Sequence, residues 1–245
     1  MTRMYQFVTK TWNPFSGCLF NCRYCWARRI AKRLPCKECK SFIPHFHPER
    51  FKKIPKSGFV FVGDMGDLWW AAYASERQKK HRWLLDDLLD LITEALQKAK
   101  KTRKRLAFFF ETKAPEVYQE YWPLDEWDGY EVWASVTIET NRAELTRQFS
   151  KAPDPEKRFR DMYRFALDWP ITHVSIEPIM DFDLDVMLEW IEKIEPLKVS
   201  IGYDNYGHQL PEPPLSKTRE LIRHLKEMRY MEVEVKTLRK AWYEK

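Results

Sequence analysis

Glycine is scarce in this chain, seven in 245 residues. So few glycines leave little freedom for unusual backbone, and most of them are expected where the backbone must turn or approach a ligand closely. Long apolar runs are missing as well. No stretch reaches the roughly 20 residues that a membrane-spanning helix needs, and the N-terminus has no signal-peptide pattern, so no membrane partner is expected. Cysteine is limited to five, an odd number in a chain without an export signal. That argues against a disulfide-stapled secreted fold and for a reducing, cytoplasmic setting. What is present is 44% hydrophobic residues, enough for one sizeable core. Residues 1–245 are therefore read as a single domain.

Basic residues outnumber acidic ones, giving a net charge of +6. They concentrate in two places. Lys98, Lys100, Lys101, Arg103, Lys104 and Arg105 close a long helix, where cations suit the macrodipole and need no ligand. Arg28, Arg29, Lys32 and Arg33 follow a cysteine-rich loop and are better placed to meet a polyanion such as nucleic acid.

Apolar runs and helical stripes alternate along the chain. Strands are expected at Tyr5–Thr9, Phe59–Val62, Leu106–Phe110, Glu131–Val136, His173–Ile176, Lys198–Ile201 and Met231–Val235. Helices are expected at Cys25–Leu34, at Glu76–Lys101 with Ser75 as its cap, and at Pro115–Tyr121, Pro155–Leu167, Leu184–Ile194 and Ser216–Met228. Strand–helix alternation implies an α/β fold with a parallel sheet, here a partial (β/α)6–7 barrel.

Cys18, Cys22 and Cys25 form a C-x3-C-x2-C run with Tyr24 before the third cysteine. Three thiolates on one loop can hold three irons of a [4Fe–4S] cluster and leave the fourth open to a substrate. A second reading divides the same atoms differently. Cys22-x2-Cys25 with Cys36-x2-Cys39 also spells a zinc ribbon, with Cys18 left over.

Loops after the strand C-termini form the functional rim of parallel α/β folds. The residues there are polar in this chain: Gly63, Asp64, Gly66 and Asp67; Lys113; Thr137 and Glu139; Glu177; Asp204 and Asn205; and Lys236. Each alone has an ordinary explanation as a turn cap or a surface charge. Their convergence beside a three-cysteine loop is the functional argument.

With that loop, the segments Trp12-Asn13-Pro14, Asn21–Ala27, His47-Pro48-Glu49-Arg50, Val62–Asp67, Thr112-Lys113, Val136–Glu139 and Ser175–Pro178 resemble the radical S-adenosylmethionine (SAM) superfamily. The likeness is to a subgroup found in phage and prokaryote genomes, and it extends to the last strand with Lys236. Cys36-x2-Cys39 and the Gly202–Gly207 segment depart from the subgroup's pattern. The resemblance implies a radical-SAM type of barrel, SAM, a [4Fe–4S] cluster on Cys18, Cys22 and Cys25, and a reductant such as flavodoxin or ferredoxin. The chemistry that such a site permits is reductive cleavage of SAM to a 5′-deoxyadenosyl radical that abstracts hydrogen from a substrate. Tyr24, Gly63, Asp64, Gly66, Asp67, Thr137 and Glu139 would then bind SAM. Lys113, Glu177, Asp204, Asn205 and Lys236 would orient substrate or relay a proton.

Two further features stand apart. Cys36, Cys39, His45 and His47 offer four zinc-competent donors in an insertion at about 35–57, or else two reduced thiols and two ordinary histidines. Trp69, Trp70 and Tyr73 offer stacking surfaces for bases, or else ordinary core. A nucleobase or nucleotide in nucleic acid ranks first as substrate. The competing class is a non-catalytic zinc-ribbon nucleic-acid-binding protein.

Overall fold

The computed structural model describes residues 5–69 and 82–245. Ser75, the start of the helix expected from Glu76, Trp70 and Tyr73 lie outside the described residues. The strands are β1 (Lys10–Trp12), β2 (Phe15–Ser16), β3 (His45–Phe46), β4 (Gly58–Val62), β5 (Leu106–Thr112), β6 (Val132–Thr137), β7 (Thr172–Ile176), β8 (Lys198–Ile201) and β9 (Glu232–Val235). Seven of them form one sheet in the order β1-β4-β5-β6-β7-β8-β9, and β2 pairs with β3 in a separate antiparallel ribbon. The pairings β1–β4, β4–β5, β7–β8 and β8–β9 are parallel. The fold is α/β, as the alternation of runs and stripes requires.

By backbone packing the chain divides into two compact units. The first comprises residues 1–19, 26–112 and 117–134, and the second residues 20–25, 113–116 and 135–245. In the first, β5 reads Leu-Ala-Phe-Phe-Phe-Glu-Thr and is buried at every position but Glu111. Such a continuous apolar run suits a strand covered on both faces. Helix α1 (Trp26–Ala31) follows the cysteine loop. The short helices α2 (Lys37–Ser41) and α3 (Pro48–Phe51) flank β3, and α4 (Arg82–Lys101) leads into β5. Helices α5 (Glu116–Tyr121) and α6 (Leu124–Trp127) follow β5.

In the second unit, α7 (Ala143–Phe149) and α8 (Pro155–Ala166) precede β7. Helix α9 (Leu184–Ile194) connects β7 to β8, and α10 (Leu215–Glu227) connects β8 to β9. A polar row crosses these otherwise apolar strands. His173 bridges Ser135 Oγ (2.7 Å) and Ser200 Oγ (2.9 Å), and Ser200 donates to Glu234 (2.8 Å). Burial, then the Lys198 and Lys236 charges, holds His173 well below its ordinary pKa, so the row runs through a neutral imidazole.

The sheet starts later than the sequence suggests. Tyr5–Thr9 is not a strand, and β1 begins at Lys10. The rings of Tyr5 and Phe7 stack at 5.2 Å and both pack on Phe109, which folds this segment into a turn. Thr9 joins the edge of β4 through its side chain, donating to Phe59 O (3.1 Å) and accepting from Phe59 N (2.9 Å). The β2–β3 ribbon and α2, α3, α6 and α7 carry no periodic pattern of useful length, so the sequence did not announce them.

One junction positions the entry to the cysteine loop. Gly17 and Gly66 form a parallel bridge; Gly17 N donates to Met65 O (3.0 Å) and Asp67 N donates to Gly17 O (3.2 Å). A Cβ on Gly66 would collide with the Gly17 carbonyl and lie 2.9 Å from Gly17 N. Backbone meets backbone here, and nothing flexible can yield. Gly66→Ala is expected to cost about 1–3 kcal/mol, the range for overpacking. Thermal unfolding of the purified variant checks this, and an unchanged midpoint would show that the junction yields.

Candidate active site

The second half of the cysteine loop is fastened to the second unit. Arg23 N donates to Phe149 O (2.8 Å), Lys151 N to Phe20 O (2.6 Å), and Cys25 N to Cys22 O (3.2 Å). Tyr24 is buried with Phe149, Met180 and Leu210, and Cys22 packs against that cluster. Cys22 Sγ lies 3.1 Å from Ser150 Oγ. Cys22 and Cys25 are each partly exposed, and no disulfide joins any of the five cysteines. In the first unit, Cys18 N donates to Phe42 O (3.3 Å), so the first cysteine is registered on the α2 cap.

Glu139 is the electrostatic centre of the second unit. It follows β6 and is fully buried, as is Arg158. Arg158 Nη1 donates to Glu139 Oε2 (2.5 Å), Lys113 Nζ to Glu139 Oε1 (2.5 Å), and Tyr24 Oη to Glu139 Oε1. Arg158 also donates to Thr137 O (2.9 Å) and Pro153 O (2.7 Å). The Lys113 ammonium lies 5.6 Å from the centre of the Tyr24 ring. Burial alone would raise the Glu139 pKa, but the Arg158 and Lys113 charges outweigh it and pull the group down to about 2. Burial, then the neighbouring Cys22 and Glu139, pushes the Tyr24 phenol well above its ordinary value. Tyr24 is thus a neutral donor held against a permanent carboxylate.

A second group forms at the ends of β7, β8 and β9. Lys236 Nζ pairs with Glu177 Oε2, Asn205 Nδ2 donates to Glu177 Oε1 (3.5 Å), and Thr237 Oγ1 donates to Asn205 Oδ1 (2.5 Å). Gly202 makes room for them, since a Cβ there would lie 3.2 Å from Glu177 Oε1 and from Lys236 Cβ. Asp204 belongs elsewhere. Its carboxylate accepts from Tyr206 N (3.1 Å), His208 N (2.6 Å) and the His208 ring (2.8 Å), which organises its own loop.

In the first unit the loop after β4 carries Gly63, Asp64, Gly66 and Asp67. Gly63 has a φ of +76°, which glycine adopts without strain, and its N–H donates to Trp12 O (2.9 Å). Asp67 is buried and accepts from Thr112 Oγ1 (2.8 Å), which makes it a structural brace. Asp64 differs. Its Oδ1 is buried with no hydrogen-bond partner, and burial raises the carboxyl's pKa against the lowering bond to Asn13. An acceptor in that condition fits an incoming ammonium or N–H donor.

Cys36, Cys39, His45 and His47 converge, with one donor atom from each lying within 4.8 Å of all the others. Cys36 and Cys39 therefore associate with the histidine pair. That leaves the zinc-ribbon alternative, which needs them beside Cys22 and Cys25, without support. Burial, with the Cys36 thiol beside it, pushes the Cys39 thiol up to about 11, and burial lowers His47.

Arg158 and Ser150 escaped the sequence reading. For Arg158 a signal existed. It occupies the inner stripe of α8 with Met162 and Phe165, all buried, and an arginine on an apolar stripe needs a buried anion. Ser150 carried no such mark. Trp69 is buried and stacks edge-on to Phe110 (5.3 Å) and Tyr118 (5.5 Å), so it is core and not a platform for bases.

No protein-family model matches the chain, and no curated protein matches it. Solved structures do. SuiB of Streptococcus suis bound to S-adenosylmethionine superposes with a TM-score of 0.57 at 12% identity, covering 95% of this chain and 51% of that one. SuiB bound to the precursor peptide SuiA gives 0.59 at 10% identity, over 94% and 49%. Spore photoproduct lyase with a dinucleoside spore photoproduct gives 0.54 at 13%, over 87% and 59%. The chain spans about half the length of the SuiB structures it matches. At such identities the likeness is one of fold, and the parallel α/β architecture expected of a partial barrel is the architecture they share. Among the described residues no helix is long and apolar enough to cross a membrane.

Glu139→Gln would leave Arg158 buried without its counter-charge. Breaking a buried pair from one side costs about 3–5 kcal/mol, and chemical denaturation of the variant should show a loss of that order. The wild type should also carry an acid signature. Because folding lowers the Glu139 pKa from 4.5 to about 2, its stabilisation is complete above the unfolded value and is lost as pH falls through that window. Denaturation midpoints measured between pH 5 and pH 2 should fall less steeply for Glu139→Gln than for wild type; parallel slopes would refute the linkage.

Proposed function

We propose that the chain is a radical SAM enzyme, a reading carried by the three thiolates of Cys18, Cys22 and Cys25 on one loop. The donor set fits a [4Fe–4S] cluster: three cysteines in a C-x3-C-x2-C run, none in a disulfide, with Cys22 and Cys25 partly open. Bound there, a [4Fe–4S] cluster would supply one-electron chemistry, the reductive cleavage of SAM to a hydrogen-abstracting 5′-deoxyadenosyl radical, with an external donor of the flavodoxin or ferredoxin kind as the electron source. The fold likeness to structures holding S-adenosylmethionine supports the cofactor.

The chain's own groups have separate tasks in this reading. Asp64, with its unsatisfied Oδ1, takes the ammonium of SAM, and Gly63 and Gly66 let the backbone of that loop approach. Tyr24 and Glu139 hold the cysteine loop in place, with Thr137 contributing its carbonyl to the Arg158 anchor. Asp67 braces the loop beneath Asp64. Lys113, the cation of the Glu139 group nearest to solvent, would orient substrate, as would the second polar group of Glu177, Asn205 and Lys236. Asp204 shapes the adjoining loop.

For substrate, a nucleobase or nucleotide in nucleic acid is the reading favoured by charge. Arg29, Lys32 and Arg33 are exposed on and just after α1, directly downstream of the cysteines. One of the similar structures holds a dinucleoside and another a peptide. The exposed cations point to the former class. The reduced thiols suit a cytoplasmic setting.

Anaerobic protein reconstituted with iron and sulfide and reduced with dithionite should convert SAM to 5′-deoxyadenosine. The variant combining Cys18→Ala, Cys22→Ala and Cys25→Ala should neither bind the cluster nor form that product. Single-stranded RNA or DNA should raise the rate more than a mixed peptide pool does. A reconstituted cluster that never cleaves SAM would refute the enzymatic reading, and stimulation by peptides alone would refute the substrate class.

A further inference from the structure

The insertion between α1 and β4 contains a second site, unrelated to the cysteine loop in its donors. Cys36 caps α2, with its sulfur accepting from Cys39 N at 3.2 Å. Cys39 lies one turn further on and is almost wholly buried. His45 opens β3 and His47 immediately precedes α3. Residues two apart on an extended segment share a face, which turns both imidazoles the same way.

Three sulfur–nitrogen distances are those of a single ion. Zinc sits about 2.3 Å from sulfur and about 2.0 Å from nitrogen, so tetrahedral ligands of the two kinds lie about 3.5 Å apart. Here Cys36 Sγ to His45 Nε2 is 3.4 Å, Cys39 Sγ to His45 Nε2 is 3.5 Å, and Cys39 Sγ to His47 Nε2 is 3.5 Å. Hydrogen bonding does not account for the set. A neutral imidazole has one lone pair and a thiol one proton, yet His45 Nε2 meets two sulfurs and Cys39 Sγ meets two nitrogens. A shared cation satisfies all of them.

The surroundings complete the argument. His45 Nδ1 lies 2.7 Å from Ile43 O, and His47 Nδ1 lies 3.2 Å from Glu49 Oε1. Each partner is an acceptor, so Nδ1 carries the proton and Nε2 presents its lone pair to the centre. Metal-bound histidines are oriented in this way by a carbonyl or carboxylate behind them. Two thiolates would neutralise a divalent ion, and two neutral imidazoles would fill its shell, with two protons released to solvent. A two-iron cluster held by two cysteines on one iron and two histidines on the other is disfavoured, because sulfur and nitrogen would then belong to different ions and lie farther apart.

We propose that Cys36, Cys39, His45 and His47 bind one structural zinc ion. Its mechanical role follows from the chain path. Helix α2 has five residues, too few to persist without tertiary support. The ion ties it to β3, whose Ser16↔His45 and Phe15↔Phe46 pairings hold β2, the strand that runs into Gly17 and Cys18. Phe42, the left-handed cap of α2, accepts the Cys18 N–H. The zinc therefore sets the platform on which the first cluster cysteine is registered.

The test removes the loop thiols first, so that it does not depend on the radical SAM reading. In the full chain carrying Cys18→Ala, Cys22→Ala and Cys25→Ala, elemental analysis should find about one zinc per chain. Adding Cys36→Ser and Cys39→Ser should abolish it. If that second variant fails to fold, the first one decides alone. Stripped with a chelator and titrated with cobalt(II), it should develop the visible absorption of tetrahedral thiolate–imidazole coordination, saturating at one equivalent. Absence of zinc from the folded three-alanine protein, zinc retained after the serine substitutions, iron in its place, or a colourless cobalt titration would each overturn the proposal.

Discussion

The interaction on which the second unit depends is the buried carboxylate of Glu139. A fully buried carboxylate is unfavourable unless its charge is met at close range. Here it is met by Arg158 from α8, by Lys113 after β5, and by the Tyr24 hydroxyl from the cysteine loop. The three donors come from segments far apart in sequence. Removing the anion would leave the buried Arg158 without a counter-charge, held by the carbonyls of Thr137 and Pro153. The position of Tyr24, two residues after Cys22 and one before Cys25, means that the same ion group that stabilises the core also fixes the spacing of two thiols.

In the first unit the corresponding constraint is steric. A Cβ on Gly66 would run into the Gly17 backbone, and a Cβ on Gly17 would run into the Ile43 carbonyl and Pro44 N, so neither tolerates a side chain. A single residue thus touches the loop after β4 and the α2–β3 connection. Cys18 follows it immediately, so its backbone direction is set by contacts that involve no side-chain chemistry. Of the seven glycines, Gly17 and Gly66 are the two whose added Cβ would run into backbone.

Much of the fold was legible in the sequence because it rests on local periodicity. Strands β4 to β9 and helices α8, α9 and α10 fall within a residue or two of the runs and stripes that announce them. Tyr5–Thr9 misled because its alternation serves ring stacking, while the ladder begins at Lys10. The candidate site was legible as a set of positions but not as a set of partners. Glu139, Lys113 and Tyr24 were all singled out, yet nothing in the sequence says that one carboxylate serves both of the others. Arg158 was overlooked although it interrupts an apolar stripe. Asp64 and Asp67, three residues apart and alike in composition, part company only in the structure: one is braced by Thr112, the other keeps an unsatisfied oxygen.

The five cysteines illustrate the same limit from the side of chemistry. Spacing alone offers two C-x2-C pairs, and a zinc ribbon and a three-thiolate loop compete for them. The histidines decide. His45 and His47 stand against Cys36 and Cys39 with their Nδ1 atoms already occupied by acceptors, so these four residues are a complete donor set of their own. Zinc does not change oxidation state, which suits a purely structural support. A neutral two-thiolate, two-imidazole centre would also add no net charge to the segment that follows α1. Three loop cysteines and two insertion cysteines are thereby separated by what surrounds them, since the spacing that introduced the ambiguity could not resolve it.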